Sequence, residues 1–281
     1  MRCSALAEEL GEPMAGTVDQ RVRWLLIEDR SAWGGEAVRD VIGEEREADA
    51  KRLGMRVQLV RRREGPPDPD APRRVTLVDT DHRVMASREI RSLEGLDIEA
   101  VASQPVGDFG AAVEGPMFLV CVNGKRDACC ALRGRALMTA LAAEEPGAAW
   151  ETTHLGGHRF AANLVCLPHG IVYGRVRPDD GLRLAAAYRA GRLDPALLRG
   201  RSAWPPSAQV AEGELRSSLG LDGLEDLALV AVEGDGELAT VTFEVGGATH
   251  RLAVRAEPSE PPRPTSCRGD KLEAPIHWGL A

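Results

Sequence analysis

The sequence predicts an α/β protein, because short apolar runs alternate with stretches whose apolar residues recur at helical spacing. Two blocks carry this pattern: 22–28, 36–53 and 55–59 read as strand, helix and strand, and 117–122, 130–143 and 150–154 repeat that order. A third observation is the pair of runs 164–167 and 171–176 around Pro168-His169-Gly170, which reads as a hairpin.

Residues 22–28, Val-Arg-Trp-Leu-Leu-Ile-Glu, suit a buried strand, and Ser31-Ala-Trp33-Gly34-Gly35 breaks it. Over 36–53 the apolar positions Val38, Val41, Ile42 and Leu53 predict a helix, with Gly54 as its C-cap. Met55, Val57 and Leu59 alternate with polar residues as a half-buried strand does, and 75–78 starts another. Between them lies 65–72, Gly-Pro-Pro-Asp-Pro-Asp-Ala-Pro. Its prolines lack the amide donor a sheet needs, so it is expected to be a surface loop.

In the second block, Leu132, Ala136, Leu137, Ala140 and Leu141 give the helix its spacing, and Trp150, Thr152 and His154 alternate as in a strand. Pro178 suits the first turn of a following helix. The order βαβ, β-hairpin, α is that of a thioredoxin-like domain. After Pro205-Pro206, a helix over 207–219 and strands near Leu229, Val241 and Leu252 are expected to complete the core. The proline-rich stretch 258–264 leads to a tail carrying Cys267, His277 and Trp278. The expected division is an amino-terminal α/β domain over 1–112, a thioredoxin-like domain with the site over 113–204, and a carboxy-terminal part over 205–281. The shared strand–helix order makes the first domain a candidate diverged copy of the second.

A formal net charge of −8 argues against nucleic acid or an anionic membrane as the main partner, since both need a cationic surface. The first ten residues lack the apolar core of a secretory signal, and no later run reaches membrane-spanning length, so the chain reads as cytoplasmic. In that setting Cys3, Cys121, Cys129, Cys130, Cys166 and Cys267 are expected to be free, metal-bound or redox-active rather than a disulfide frame.

Chemistry concentrates in Cys121-Val-Asn-Gly-Lys-Arg-Asp-Ala-Cys129-Cys130 and His154-Leu-Gly-Gly-His158. Thiolate and neutral imidazole are the preferred donors of soft and borderline metals. Cys121 closes a strand and Cys130 opens a helix, where backbone amides favour thiolate. Glycines 156 and 157 make a helix across the two histidines unfavourable, by about 1 kcal/mol each, so a tight loop is expected to turn both rings toward the cysteines. Cys166 is read as core, and Cys3, His82, His169 and His250 as structural or exposed. For Cys267 and His277, in the tail, a redox or gating role is the lesser alternative to a structural or exposed one. Eight residues between the cysteines fit a zinc finger poorly, and a Rieske centre mixes its ligand types within each motif, whereas here they are segregated. A [2Fe-2S] cluster would most simply take two thiolates on one iron and two imidazoles on the other.

The motifs Phe118-Leu-Val-Cys121-Val-Asn-Gly-Lys-Arg-Asp-Ala-Cys129-Cys130, Trp150-Glu-Thr-Thr-His154-Leu-Gly-Gly-His158-Arg-Phe160-Ala-Ala-Asn163 and Gly170-Ile-Val-Tyr173-Gly174-Arg175-Val176 resemble the core of the sucrase/ferredoxin-like family, a thioredoxin-like ferredoxin branch. Cys3-Ser, Glu12-Pro-Met-Ala-Gly16 and Trp24-Leu-Leu-Ile-Glu28 with Trp33-Gly34 are similar to its amino-terminal region. The resemblance implies a [2Fe-2S] cluster held by Cys121, Cys130, His154 and His158. It also favours Cys130 over its neighbour Cys129, because the family leaves eight residues between the thiolates.

The function expected is one-electron transfer serving a redox partner protein, as a carrier more than a stand-alone enzyme. Neutral imidazole in place of anionic thiolate raises the potential relative to an all-cysteine cluster. Reduction is expected to couple to proton uptake at His154 or His158. Arg159, Arg175, Lys125 and Arg126 are candidates for charge tuning or docking, with a solvated face as the simpler reading. Two other functions use the same residues: structural zinc binding, and thiol oxidoreduction, for which the close Cys-x-x-Cys spacing is missing. No pairing of carboxylates across a sugar is readable, so a glycosidase is unsupported.

Overall fold

In the computed structural model, which describes residues 2–62, 71–268 and 271–281, strands and helices alternate as the apolar pattern requires. Most of the expected proline-rich loop over 65–72 lies outside the described residues. The chain opens with a short helix not foreseen from sequence, α1 (Cys3–Glu9), and then strand β1 (Arg23–Glu28). The helix expected over 36–53 is two: α2 (Ala37–Ile42) and α3 (Glu44–Arg52). Gly43 divides them at φ 86°, a left-handed conformation that glycine adopts without steric cost. Next come β2 (Arg56–Arg61), β3 (Arg73–Asp79), β4 (Val84–Ile90), α4 (Ile98–Ser103) and the two-residue β5 (Ala111–Ala112).

The second half runs β6 (Met117–Cys121), α5 (Ala128–Glu144), β7 (Ala149–Thr152), β8 (Leu164–Leu167), β9 (Ile171–Tyr173), α6 (Pro178–Arg189) and β10 (Leu198–Arg201). Strand β7 stops before His154, which sits in the following loop, and β9 stops at Tyr173 instead of continuing to Val176. Asp127 caps α5 by accepting from the Cys129 amide at 2.9 Å. Pro178 takes the first position of α6, where its missing N–H costs nothing.

Strands β1–β10 form one mixed sheet in the order β10-β9-β8-β6-β7-β2-β1-β3-β4-β5. Each half follows the same scheme. β1 and β2 are parallel across α2–α3, as β6 and β7 are across α5; an antiparallel hairpin and a helix follow in both. The halves meet where β2 and β7 pair antiparallel, Val60 opposite Thr152 and Arg61 opposite Glu151.

Period-two alternation sends Leu25, Ile27, Phe118 and Val120 to one face, against Ile42, Ala50, Leu137, Leu141 and Leu184 from the helices. Trp24, Leu26, Leu119 and Trp150 point to the other face and share an apolar cluster with Cys121 and Cys130. The chain ends in α7 (Pro206–Leu219), β11 (Ala228–Asp235), β12 (Leu238–Val245), β13 (Ala248–Pro258), β14 (Arg263–Pro264), β15 (Leu272–Glu273) and β16 (Ile276–Leu280). β11, β12, β13 and β16 make a second sheet that packs with α7 around Val241, Phe243 and Val254 instead of extending the first. Among the described residues, no helix is long and apolar enough to cross a membrane.

Candidate metal centre

Cys121 is the last residue of β6 and Cys130 the third of α5, so the Val122–Asp127 loop folds back over the strand end. Asn123 fixes that loop by accepting from the Arg126 amide at 3.2 Å and donating to the Gly34 carbonyl at 3.1 Å. Gly134 lets α5 lie this close: a Cβ there would stand 2.2 Å from the Cys121 carbonyl oxygen. The sequence therefore needs glycine one turn after Cys130 to bring the two sulfurs together.

The histidine loop is held from below. Thr153 donates to Gln58 Oε1 at 2.7 Å, and Gln58 donates to the His154 carbonyl at 3.2 Å. Gly156 and Gly157 adopt φ of 81° and 63°. At Gly157 a Cβ would collide with the Arg199 guanidinium 2.2 Å away. Asn163 donates to the Gly157 carbonyl at 3.1 Å and accepts from Arg199 at 2.8 Å.

These supports bring the Sγ atoms of Cys121 and Cys130 and a ring nitrogen of His154 within 4.8 Å of one another. Cys130 Sγ lies 3.9 Å from His154 Nδ1. His158 is next to this group and outside it: its Nδ1 is 3.3 Å from His154 Nε2, with the rings tilted at 34°. Both thiols are about 1 % exposed, whereas both imidazoles reach the surface. The Cys130 thiol donating to Cys121, helped by His154, outweighs burial and holds Cys121 well below the usual thiol range. The same hydrogen bond, with burial, pushes Cys130 up. Burial pulls His158 down, opposed by the Asp127 carboxylate.

Two arginines lie near the thiols, Arg199 buried and Arg56 half-buried. Arg199 donates to Thr17 Oγ1, to the backbone carbonyls of Thr17 and Gly156 and to Asn163 Oδ1; among the described residues no carboxylate pairs with it. Burial, then Arg159 and Arg56, pull it down to about 9, while Cys130 acts in the opposite direction. Burial lowers Arg56, opposed by Asp19 and Cys121, and among the described residues its buried Nε has no hydrogen-bond partner.

Other residues singled out in the sequence fall as follows. Trp150 packs in the cluster that holds Cys121 and Cys130, Phe160 is fully buried, and Tyr173 and Cys166 are core. Arg159 pairs with Glu12 at 2.7 Å, and Arg175 donates to the carbonyls of Ala7 and Glu12, so both anchor the amino-terminal segment. Arg126 pairs with Glu36, and Lys125 is exposed. His169 bonds the Tyr188 hydroxyl and Glu225, and His82 lies beside Asp79 on the surface.

Cys129 points away from Cys130, into a group missed in the sequence. Its Sγ lies 3.6 Å from that of Cys3 and 3.2 Å from that of Cys267, and Cys3 to Cys267 is 3.4 Å. Cys3 is therefore a buried neighbour of two other thiols. No local spacing signals this, since the residues are 126, 138 and 264 positions apart.

The tail that brings Cys267 also covers the histidine side. Asp127 Oδ2 accepts from the Cys267 amide at 3.0 Å and stands 3.7 Å from His158 Nε2. Glu12, whose side chain is fully buried, holds the tail through Arg263 at 3.2 Å and His277 at 3.2 Å. Burial alone would raise Glu12, but bonds from His277, Arg263 and Arg159 outweigh it and set it at about 2. A folded-state value below the ordinary 4.5 stabilises the docked tail fully above about 4.5, and that contribution is lost as pH falls toward about 2. Hydrogen exchange in β16 is expected to quicken across that interval, and Glu12→Gln to remove most of the dependence.

Chemically, the site is two buried thiols and an imidazole converging, a second imidazole beside them, and two cations behind, all on an α/β scaffold. That is a candidate Cys/His metal centre. Residues 14–200 match the sucrase/ferredoxin-like family, and the chain belongs to it. Searches of curated proteins and of solved structures found no match.

Proposed function

We propose that the protein transfers single electrons through a [2Fe-2S] cluster held by Cys121, Cys130, His154 and His158 on a thioredoxin-like domain spanning 113–204. The observation that supports it is the convergence of Cys121, Cys130 and His154 donors within 4.8 Å, with His158 packed on His154. This donor set fits a group needing soft sulfur on one side and imidazole on the other. When bound, such a cluster would supply reversible one-electron storage.

The chain's own residues do the rest. Cys121 offers an anionic sulfur stabilised by its neighbours. Arg199, buried, and Arg56, half-buried and 4.0 Å from Asp19, place positive charge near the thiols, which favours a centre that gains negative charge. A purely structural zinc site gains none in use. The buried cysteine side excludes water, and the partly exposed histidine side is where a proton, or a partner's electron, has the shorter path. A redox partner protein docking near His154 and His158 is part of this reading.

Anaerobically purified protein is expected to be red-brown, with iron and acid-labile sulfide in nearly equal amounts, about two of each per chain. A colourless protein with one zinc at Cys121 and Cys130 would replace this function with a structural one. Thiol-dependent turnover that survives loss of both histidines would favour an oxidoreductase.

A further inference from the structure

The thiol group formed by Cys3, Cys129 and Cys267 lies outside the site above and has no part in that function. Its three sulfurs stand 3.2–3.6 Å apart, and with a carboxylate oxygen of Asp127 all four ligand atoms lie within 4.8 Å of one another. We propose that Cys3, Cys129, Cys267 and Asp127 form a second metal site, which takes one divalent cation of the zinc type.

The geometry is close to what such an ion requires. Tetrahedral zinc with Zn–S of about 2.3 Å sets its sulfurs about 3.8 Å apart, a few tenths of an ångström wider than the triangle seen here. Three sulfurs with one carboxylate select zinc over magnesium or calcium, which prefer oxygen. The surroundings are built to hold the ligands. Ser4 donates its hydroxyl to Cys129 Sγ at 3.2 Å. Asp127 is fully buried, oriented by amides of Cys129 at 2.9 Å and Cys267 at 3.0 Å, and by the Ser266 hydroxyl at 3.2 Å. Such outer bonds orient a metal's ligands and tune their basicity. Cys267 is exposed, so an ion has access from solvent.

Binding would release the thiol protons to solvent and form three zinc–sulfur bonds and one zinc–oxygen bond, with no change of oxidation state. The ion would join α1, the start of α5 and the tail, which bonds from Ser4 to Cys129 and from the Cys267 amide to Asp127 already bring together. Because the tail residues 265–267 lie beside His158, it would also fix the cover over the histidine side of the first site. The inference does not depend on which metal the first site takes.

Elemental analysis of the full-length protein, with Cys267→Ser and the double variant Cys121→Ser/Cys130→Ser, tests it. Zinc is expected at one per chain in the wild type and the double variant, and absent from Cys267→Ser, which keeps its iron. Cobalt(II) added to metal-free double variant should give thiolate-to-cobalt charge-transfer absorption that disappears on further Cys3→Ser substitution. If the double variant does not fold, Cys121→Ala/Cys130→Ala serves in its place. Zinc that follows Cys121 and Cys130, a Cys267 disulfide in freshly purified protein, or no charge-transfer band in a folded variant overturns the proposal. Wild type that binds zinc through Cys267 but lacks iron would overturn the iron–sulfur reading alone.

Discussion

Cys130→Ser is expected to abolish iron, sulfide and visible absorption, while Cys129→Ser keeps all three. The two residues are adjacent, yet the helix turns their sulfurs to different sides. Cys130 faces Cys121 and His154, and Cys129 faces Cys3 and Cys267. A serine hydroxyl is a poor substitute for thiolate toward iron. Far-ultraviolet circular dichroism should stay close to wild type, because α5 keeps its Asp127 cap and its packing. Equal loss of colour in both variants would show that the sulfurs exchange roles, and no loss in Cys130→Ser would remove it from the ligand set.

The largest effect on stability is expected from Glu212→Ala, at about 3–5 kcal/mol. Glu212 lies on α7 with its side chain fully buried, and its Oε1 accepts from Arg201 on β10 and from Arg216 one turn on, both at 2.9 Å. Arg201 also donates to the Leu224 carbonyl at 2.7 Å, and Arg216 to that of Gly223 at 2.8 Å. Removing the carboxylate leaves the buried Arg201 guanidinium without an anion and Arg216 with only Asp226, 4.0 Å away, which costs more than the pairs themselves contribute. The unit joins the edge strand of the large sheet to the helix under the second one. Glu212→Gln keeps an acceptor and should fall between. Urea unfolding measures the loss; a change of under about 1 kcal/mol would show that water reaches the triad.

Much of the candidate site was legible because it is local. Cys121 and Cys130 flank a strand-to-helix loop, and the glycines between His154 and His158 dictate a turn, so pattern and turn chemistry suffice. The β6–α5–β7 unit was legible for the same reason, since apolar spacing in β6 and α5 reports directly on burial. Legibility ended where charge is buried or contacts are distant. β10, Leu-Arg-Gly-Arg, is a fully buried strand with two arginines, and hydrophobic pattern cannot find it. Gly43 gave no sign of splitting one helix into two, because glycine is also tolerated inside helices at a modest cost. The cover over the histidines depends on Glu12 meeting Arg263 and His277, at separations of 251 and 265 residues.

The central claim, a cluster with two sulfur and two imidazole ligands, is tested most directly by the EPR spectrum of the chemically reduced protein. The account predicts a rhombic signal with the low average g value of mixed Cys/His ligation, moving toward that of an all-cysteine cluster in His154→Cys/His158→Cys. A folded, EPR-silent protein carrying zinc at Cys121 and Cys130, or a wild-type signal with the average g of all-cysteine ligation, would contradict it.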